Sequence, residues 1–497
     1  MREEQKSYQN VMKATTLFGG VQVIHILITI ARSKIIALLV GAEGMGIASL
    51  FLAPLRLLTT ATNLGLDKSA VKEIAGHATD ENELKVFRSI SILKRLAWFT
   101  AIAGALLMLA FSPFLSQWSF DSGEYTISFI WLGLALIFNQ LSASRLAILQ
   151  GLRKLQFLAK SNLYGAISGL FVTIPLYYAL GIDGILPAII LTSGFIFLFA
   201  IYFSRKAVEN IATNNLSSKE AFSEGRGMMK LGVTLSISTL IGLLVAYLVQ
   251  IYISHQGGES EVGFYSAGIV ILNTYVGLIF NAMSTDYFPR LSAICDDGLA
   301  VVKTVFEQAF IAILLITPIV IFFVGFAPLL IELLYSGEFA PTVSLVRWGI
   351  LGMLFKAVSW SMGYIIIAKG DSSLFMKTAV GFNSILLALN LIGYHFYGLE
   401  GIGMSLLAYF VLHFITVKWL TSYRYGFKMA SGFYRAFFIC ILFCAGAFAV
   451  TYIEALYLRY SLGFFITALS CLYSYRLLDE KVGFKTLVTS ILKKKKQ

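Results

Sequence analysis

The chain has 497 residues, of which 58% are hydrophobic and only 13% are charged, and its mean hydropathy is +0.78. Soluble domains carry about 25% charged residues, so this composition excludes a water-soluble globular protein and indicates a surface that faces lipid. The formal net charge of +12 would suggest a nucleic-acid partner in a soluble protein, but here the basic residues are confined to particular links between apolar runs.

The chain contains fourteen apolar runs that are long enough to cross the hydrocarbon core of a membrane as helices, which takes about 20 residues each. In chain order they are 14–40, 46–66, 89–111, 125–149, 157–180, 184–204, 230–254, 262–286, 304–327, 341–368, 374–395, 401–421, 434–454 and 460–477. The sequence therefore predicts an all-α integral membrane protein with about fourteen transmembrane helices.

Basic residues fall almost wholly on alternate links. The links 41–46, 112–124, 181–184, 255–262, 328–340, 396–401 and 455–460 hold Arg459 alone, whereas the termini and the other links hold most of the rest. Short loops rich in Lys and Arg stay in the cytoplasm. We therefore predict a multi-pass protein of the bacterial inner (plasma) membrane with both termini, including the basic C-terminal tail, in the cytoplasm.

The two halves of the chain resemble each other at a shift of 217 residues. The residues that match are Gly46 with Gly263, Ser49 with Ser266, Tyr177 with Tyr394, Gly181 with Gly398, Gly184 with Gly401 and Ile185 with Ile402. Gly151 pairs with Gly370 at a similar shift. Each repeat holds six spans, an even number, so the repeats should have the same orientation and be related by an axis along the membrane normal.

This repeat predicts two six-helix lobes with a parallel pseudo-two-fold relation and two further helices. The predicted boundaries are an N-terminal lobe at 1–206, a cytoplasmic linker at 207–229, a C-terminal lobe at 230–421, and two extra helices with a basic tail at 422–497.

Three basic residues have apolar sequence on both sides: Arg32, Arg56 and Lys356. An ionisable side chain inside a membrane is costly and normally faces a protein interior or water. Arg32 shares one helical stripe with Thr29 and His25. We expect these three cations to line a substrate-binding cavity, and the alternative is structural ion pairing within a lobe. Arg145, near the end of a span, is expected to extend its charge to the membrane surface.

Candidates for proton or cation coupling are His25, Glu307 and Asp286. Each also has a structural interpretation. His25 could be a hydrogen-bonded interior histidine, Glu307 could pair with Lys303 four residues earlier, and Asp286 could cap its helix or pair with Arg290.

Several classes of chemistry have no signature in this sequence. There is no GxxxxGK[ST] phosphate loop for an ATP-driven engine, no HExxH motif, and no CxxC pair among the four cysteines. The links opposite the basic ones are too short for a catalytic domain. We therefore expect no enzyme activity, no metal and no bound cofactor, with a gradient of H⁺ or Na⁺ as the candidate energy source.

Fourteen spans, a parallel six-helix repeat and the turn GAEGMGIASL after the first span resemble the multidrug/oligosaccharidyl-lipid/polysaccharide exporter superfamily. Within it, the chain is similar to polysaccharide-lipid flippases of the Wzx or O-antigen translocase type. Their first-span pattern is present as Arg32 followed by Gly41 and Gly44, and their basic residue midway along the second span is present as Arg56. The resemblance implies that Arg32 and Arg56 hold a lipid diphosphate, as such arginines do in the related lipid II flippases.

One departure from the family pattern lies in the eighth span. The related flippases often carry a basic residue there, and this chain has Asn273 and Asn281 instead. Lys356 is the candidate substitute.

The function that the resemblance implies is translocation of an undecaprenyl-diphosphate-linked oligosaccharide from the inner to the outer leaflet by alternating access. The oligosaccharide would be a unit of O-antigen or a related surface polysaccharide in lipopolysaccharide biosynthesis. Expected partners are membrane lipids and the polysaccharide polymerase or ligase machinery, and no nucleic acid. Two alternatives stay open: a cation-coupled multidrug exporter of the same superfamily, which usually has twelve spans and acids in its cavity, and a non-transporting membrane scaffold.

Overall fold

The computed structural model describes residues 2–79, 83–208 and 217–482, without the side chains of 2–26, 79, 218, 275, 278, 281, 282, 285, 286, 481 and 482. Every regular element in these residues is helical. Inside a bilayer the backbone can satisfy its hydrogen bonds only within the protein, and a helix does so within one segment. The predicted all-α class is therefore confirmed.

The chain divides into two compact units, residues 1–263 with 334–336 and residues 264–333 with 337–497. The helices that begin in the first unit are α1 (Arg2–Asn63), α2 (Leu66–Thr79), α3 (Glu83–Phe120), α4 (Thr126–Gly151), α5 (Leu155–Leu180), α6 (Ile185–Ala207), α7 (Ser218–Glu224) and α8 (Arg226–Val270). A 3₁₀ turn, Gly181–Gly184, joins α5 to α6.

The second unit begins within α8 and continues through a π-helical turn, Ile271–Val276. Its remaining helices are α9 (Leu278–Ala293), α10 (Gly298–Leu334), α11 (Thr342–Ala368), α12 (Ser372–Tyr425), α13 (Ser431–Val450) and α14 (Leu456–Val482). The lobe boundaries drawn from the repeat stay a prediction.

Ten helical stretches of the described chain are long and apolar enough to cross a membrane, so the chain is a multi-pass membrane protein. Four of the ten, Leu27–Asn63, Leu155–Ala207, Arg226–Thr274 and Ser372–Tyr425, are 37, 53, 49 and 54 residues long. A single span needs about 20 residues, and each of these four stretches contains one glycine with non-helical torsion angles. The count of fourteen spans stays a prediction that these interruptions favour.

The four interrupting glycines fall into two pairs, each 217 residues apart. Gly41 and Gly258 have φ of 65° and 79°, and Gly181 and Gly398 have φ of 57° and 56°. This left-handed region is open to glycine because it has no Cβ. The backbone therefore turns at the same places in both halves, at the shift that the sequence predicts.

A further pair of equivalent turns follows α4 and α11. Arg153 and Gly370 have φ of 53° and 68°, and in both turns the next amide donates to the carbonyl oxygen five residues earlier. The pairing of Gly151 with Gly370 was therefore wrong by two residues. A non-glycine residue stands at the first of these positions, so residue identity did not reveal the match.

The segments that follow Gly41 and Gly258 cross in a close backbone contact within the first unit. A Cβ atom added to Gly46 would lie 1.7 Å from the carbonyl oxygen of Glu259, and one added to Gly263 would lie 2.0 Å from that of Ala42. The 217-residue shift carries Gly46 onto Gly263 and Ala42 onto Glu259, so each of the two contacts is equivalent to the other. The contact thus has local two-fold symmetry and leaves no space for a side chain.

The short helix α7 lies in the predicted linker and is attached to α3. Its Glu224 pairs with the guanidinium of Arg88, which lowers the pKa of the Glu224 carboxyl below its ordinary value. The rings of Phe222 and Phe99 contact edge to face with centroids 5.9 Å apart. The linker therefore holds a fixed place on the first unit where it is described.

Replacing Gly46 with alanine should destabilise the purified protein by about 1–3 kcal/mol, because the new methyl group must displace backbone rather than a flexible side chain. Gly446→Ala is the matched control, since Gly446 lies inside α13 with no atom within 4 Å of its added Cβ. Gly446→Ala should leave the stability unchanged or raise it, because alanine has a higher helix propensity than glycine. Thermal unfolding in detergent measures both, and equal midpoints for the two variants would contradict the contact.

Candidate functional site

Arg32 and Arg56 lie on α1 on either side of the break at Gly41. The structure places the two guanidinium groups close enough to repel each other. Both belong to the first unit, so their proximity does not depend on the second. Two of the three predicted binding residues are therefore brought together.

The guanidinium of Arg32 is surrounded by a stripe of α5 residues spaced four apart: Gly169, Thr173 and Tyr177. Its Nη2 donates to the Thr173 hydroxyl oxygen at 3.5 Å, a long hydrogen bond. A Cβ on Gly169 would lie 3.5 Å from Nη1, and Tyr177 is within electrostatic range. The Nε atom is buried and has no hydrogen-bond partner in the described chain. Arg32 is thus held in place, but only part of its hydrogen-bonding capacity is used within the described chain.

Arg56 is exposed, and no described residue forms a hydrogen bond or ion pair with it. Polar groups continue along the same part of α1. The Thr59 hydroxyl is buried without a partner in the described chain. The Thr62 hydroxyl donates to the backbone carbonyl oxygen of Leu58 at 2.8 Å and lies 3.2 Å from Oε1 of Gln140. The side-chain nitrogen of Gln140 is buried and unpaired. Thr59 and Gln140 therefore leave hydrogen-bonding capacity unused along this part of α1.

Such an arrangement favours an anion. A guanidinium presents several donors in a planar fork that matches carboxylate and phosphate oxygens, and it stays charged at any physiological pH. Among the described residues no Asp or Glu side chain pairs with Arg32 or Arg56. The predicted alternative of structural ion pairing therefore finds no partner in the described part of the first unit.

Lys356 lies on α11 in the second unit, and its ammonium sits between two rings. The nitrogen is 5.4 Å from the centroid of Phe280 and 5.3 Å from that of Phe410, distances typical of cation–π contacts. His413, one turn beyond Phe410 on α12, is within electrostatic range and has a buried Nδ1 with no partner in the described chain. Lys356 is thus stabilised by aromatic faces rather than by a carboxylate.

The cationic pair has no counterpart in the second repeat. The 217-residue shift carries Arg32 onto Val249, which is buried, and Arg56 onto Asn273, which is exposed. Asn273 lies in the π-helical turn, a feature that often marks functional sites. The site is therefore asymmetric in charge although the backbone repeats.

Of the three coupling candidates, only Glu307 has a described side chain. It is half-buried on α10 and forms no hydrogen bond or ion pair with any described residue, so the expected pairing with Lys303 is not formed. The side chains of His25 and Asp286 lie outside those that the structure describes. Within the described residues, no group of three His, Cys, Asp or Glu side chains could hold a metal ion.

Sequence reasoning missed three sets of neighbours: Thr173 beside Arg32, Gln140 beside Thr62, and the rings of Phe280 and Phe410 beside Lys356. Hydroxyl, amide and aromatic side chains are common in membrane helices, so nothing in a single sequence separates these from residues that face lipid. The sequence marks Tyr177 only through its place in the repeat.

Comparison with known proteins gives the family. Residues 11–344 match the model of a family described as polysaccharide biosynthesis protein. A protein of Shigella flexneri named as an O-antigen transporter is 24% identical over 419 residues, which cover 81% of this chain and 95% of that one. The lipid III flippase of Escherichia coli K12 is 23% identical over 393 residues, which cover 77% and 91%.

Solved structures share the fold. The lipid II flippase MurJ in an inward closed conformation has a TM-score of 0.66, with 94% of this chain and 99% of that one covered. An inward-facing multidrug resistance MATE family transporter of the MOP superfamily has a TM-score of 0.67, with 82% and 98% covered. Both are 14% identical to this chain, so they establish the fold alone.

Replacing Arg32 with methionine should maintain or raise the stability of the resting protein, by up to about 1–3 kcal/mol, because it removes an under-paired charge while keeping a long apolar side chain. Arg88→Met is the control, since Arg88 pairs with Glu224 and its loss should lower stability slightly. Thermal unfolding in detergent measures both. A large drop in the midpoint for Arg32→Met would mean that Arg32 is a structural ion-pair member.

Proposed function

The chain belongs to the polysaccharide biosynthesis protein family, and on that premise we propose that it is a flippase for a polyprenyl-diphosphate-linked oligosaccharide. It moves this lipid from the inner to the outer leaflet of the bacterial inner membrane and feeds O-antigen or a related surface polysaccharide. The family match, relatives named as an O-antigen transporter and a lipid III flippase, and a lipid II flippase among the structures of the same fold all support this proposal.

The observation that carries the proposal is the pair of arginines without an acidic partner among described residues. A diphosphate carries several negative charges and many acceptor oxygens, so it can satisfy both guanidinium groups at once. Thr173 and the buried hydroxyl of Thr59 add neutral hydrogen-bonding groups beside them. The site thus has the charge and the donors that the head of a lipid-linked oligosaccharide needs.

The same observation disfavours a cation-coupled exporter of cationic drugs, the alternative that the MATE fold suggests. A cationic drug would approach Arg32 and Arg56 against their repulsion. The aromatic faces of Phe280 and Phe410, which would otherwise attract a cation, are already in contact with Lys356. An anionic substrate meets none of these obstacles.

In this mechanism the arginines hold the diphosphate while the prenyl chain stays in lipid. The two lobes alternate between inward-open and outward-open states around the site. Lys356 is the candidate third cation, reached as the head group moves. A gradient of H⁺ or Na⁺ drives the cycle, with Glu307, His25 and Asp286 as the candidates for coupling, and polymerase or ligase machinery receives the product.

The double variant Arg32→Gln with Arg56→Gln should reduce export of surface polysaccharide at least ~100-fold, because two charge-assisted contacts to phosphate are lost. The measurement is surface polysaccharide in the native host, together with the leaflet that its lipid-linked glycans occupy. The glycans should accumulate on the cytoplasmic face while the protein level stays normal.

The matched control for this variant is Lys303→Gln with Lys377→Gln, which removes the same charge from two exposed lysines. It should export normally. Wild-type export by the double arginine variant would remove these residues from the site. Depletion of the whole protein that leaves glycans unchanged but sensitises cells to cationic compounds would replace the flippase with the drug exporter.

Glu307→Gln should uncouple transport from its gradient, because an unpaired carboxylate on α10 is free to bind a proton or cation. In proteoliposomes with an imposed pH or Na⁺ gradient, flipping by this variant should fall to the rate without a gradient. Glu307→Asp should restore part of the response. A full gradient response in Glu307→Gln would exclude Glu307 and leave His25 and Asp286.

A further inference from the structure

Three basic residues outside the candidate site converge where α3, α4 and α6 pack together. Arg145 of α4 is within electrostatic range of Arg205 near the end of α6, and Lys94 of α3 is within range of both. Lys94 and Arg145 are half-buried, and Arg205 is exposed. The sequence alone suggested only that Arg145 extends its charge to the membrane surface.

Packing fixes these helices independently of the charges. Ala97 and Ala101 of α3 form a buried cluster with Leu141 of α4, against which Phe197 of α6 packs. Leu93, the neighbour of Lys94, belongs to a second buried cluster that includes Ile148 of α4. The helices therefore cannot separate to relieve repulsion among the three cations without loss of buried apolar contacts.

No described acidic side chain neutralises this group. Arg88, Lys369 and Arg424 each have an acidic partner in the described chain, and Lys94, Arg145 and Arg205 do not. None of the described residues forms a hydrogen bond or an ion pair with the side chain of Lys94, Arg145 or Arg205. Three cations held together in a partly desolvated place repel one another, and an external anion would offset that repulsion.

Two clefts show what kind of anion fits. One, of about 380 Å³, runs from Lys94 to Trp98 and Ile102 on α3, and the other, of about 440 Å³, runs from Arg205 to Tyr202 and Leu198 on α6. Trp98 and Tyr202 are 50% and 59% exposed. Tryptophan and tyrosine are enriched at the level of lipid head groups. Each cleft is thus lined in turn by a basic side chain, an aromatic ring and an apolar side chain.

We propose that this surface, the α3/α4/α6 cluster of Lys94, Arg145 and Arg205, is a binding site for an anionic phospholipid. The phosphate lies among the three cations, and the acyl chains follow the apolar walls of the two clefts. Basic pockets between transmembrane helices bind anionic head groups such as that of cardiolipin, and the cluster has enough charge for two phosphates. This site is separate from the Arg32 and Arg56 site and does not depend on what the protein transports.

Native mass spectrometry of the full chain in detergent tests the proposal, with cardiolipin, phosphatidylglycerol and phosphatidylethanolamine as probes. The wild-type protein should bind cardiolipin tightly and phosphatidylethanolamine weakly. The variant Lys94→Gln, Arg145→Gln, Arg205→Gln should bind cardiolipin on the order of 100-fold more weakly, because each basic residue contributes roughly fivefold. Equal cardiolipin affinity in the variant and the wild type would overturn the site.

The matched control is Lys154→Gln, Lys160→Gln, Lys219→Gln, which removes three exposed lysines of the same unit. It should bind cardiolipin like the wild type, and an equal loss would show that net charge rather than this cluster attracts the lipid. Should the triple cluster variant fail to fold, a photoactivatable cardiolipin on the wild type should label residues 94–102 and 198–206, and labelling elsewhere would refute the site. Displacement of cardiolipin by equimolar inorganic diphosphate would assign the cluster to a free phosphate instead.

Discussion

The constraint on which this structure depends is that a backbone inside a bilayer can bond only to itself. This constraint makes helices the only regular element of the described chain. Each turn between helices then needs a residue whose backbone can leave the helical conformation. Glycine supplies that turn at Gly41 and Gly258 through a positive φ. A few residues later the same residue type, at Gly46 and Gly263, lets two helices approach until their backbones touch. The absence of a Cβ atom therefore both ends these helices and joins them.

The repeat preserves this backbone but not its charges. The counterparts of Arg32 and Arg56 are Val249 and Asn273, so folding of an equivalent half requires neither arginine. A charge within a membrane helix costs free energy, and it persists when an interaction outside the fold, such as ligand binding, makes it useful. Under the proposed function an anionic substrate offsets that cost, and a single diphosphate site rather than two accounts for the asymmetry.

Charges are divided by location in the described chain. At helix ends they form pairs, as between Arg424 and Asp371, and Asp371 also accepts the backbone amide of Leu374, which lowers the pKa of its carboxyl below the ordinary value. Within the spans, Arg32 meets a hydroxyl group and Lys356 meets aromatic rings in place of carboxylates. An ion pair would neutralise such a cation, whereas a hydroxyl or a ring leaves its charge available to the anionic substrate that we propose.

The sequence by itself determined the membrane class, the helical runs, the 217-residue repeat and the identity of the isolated cations, because each is written in local composition or spacing. Only the tertiary structure decided which neighbours those cations have: Thr173 beside Arg32, two rings around Lys356, and Lys94 with Arg205 around Arg145. It also moved the counterpart of Gly370 from Gly151 to Arg153. The physical reason is that membrane helices are apolar on every side. The hydrophobic pattern that marks the buried face of a soluble helix is therefore absent, and packing alone determines which residues meet.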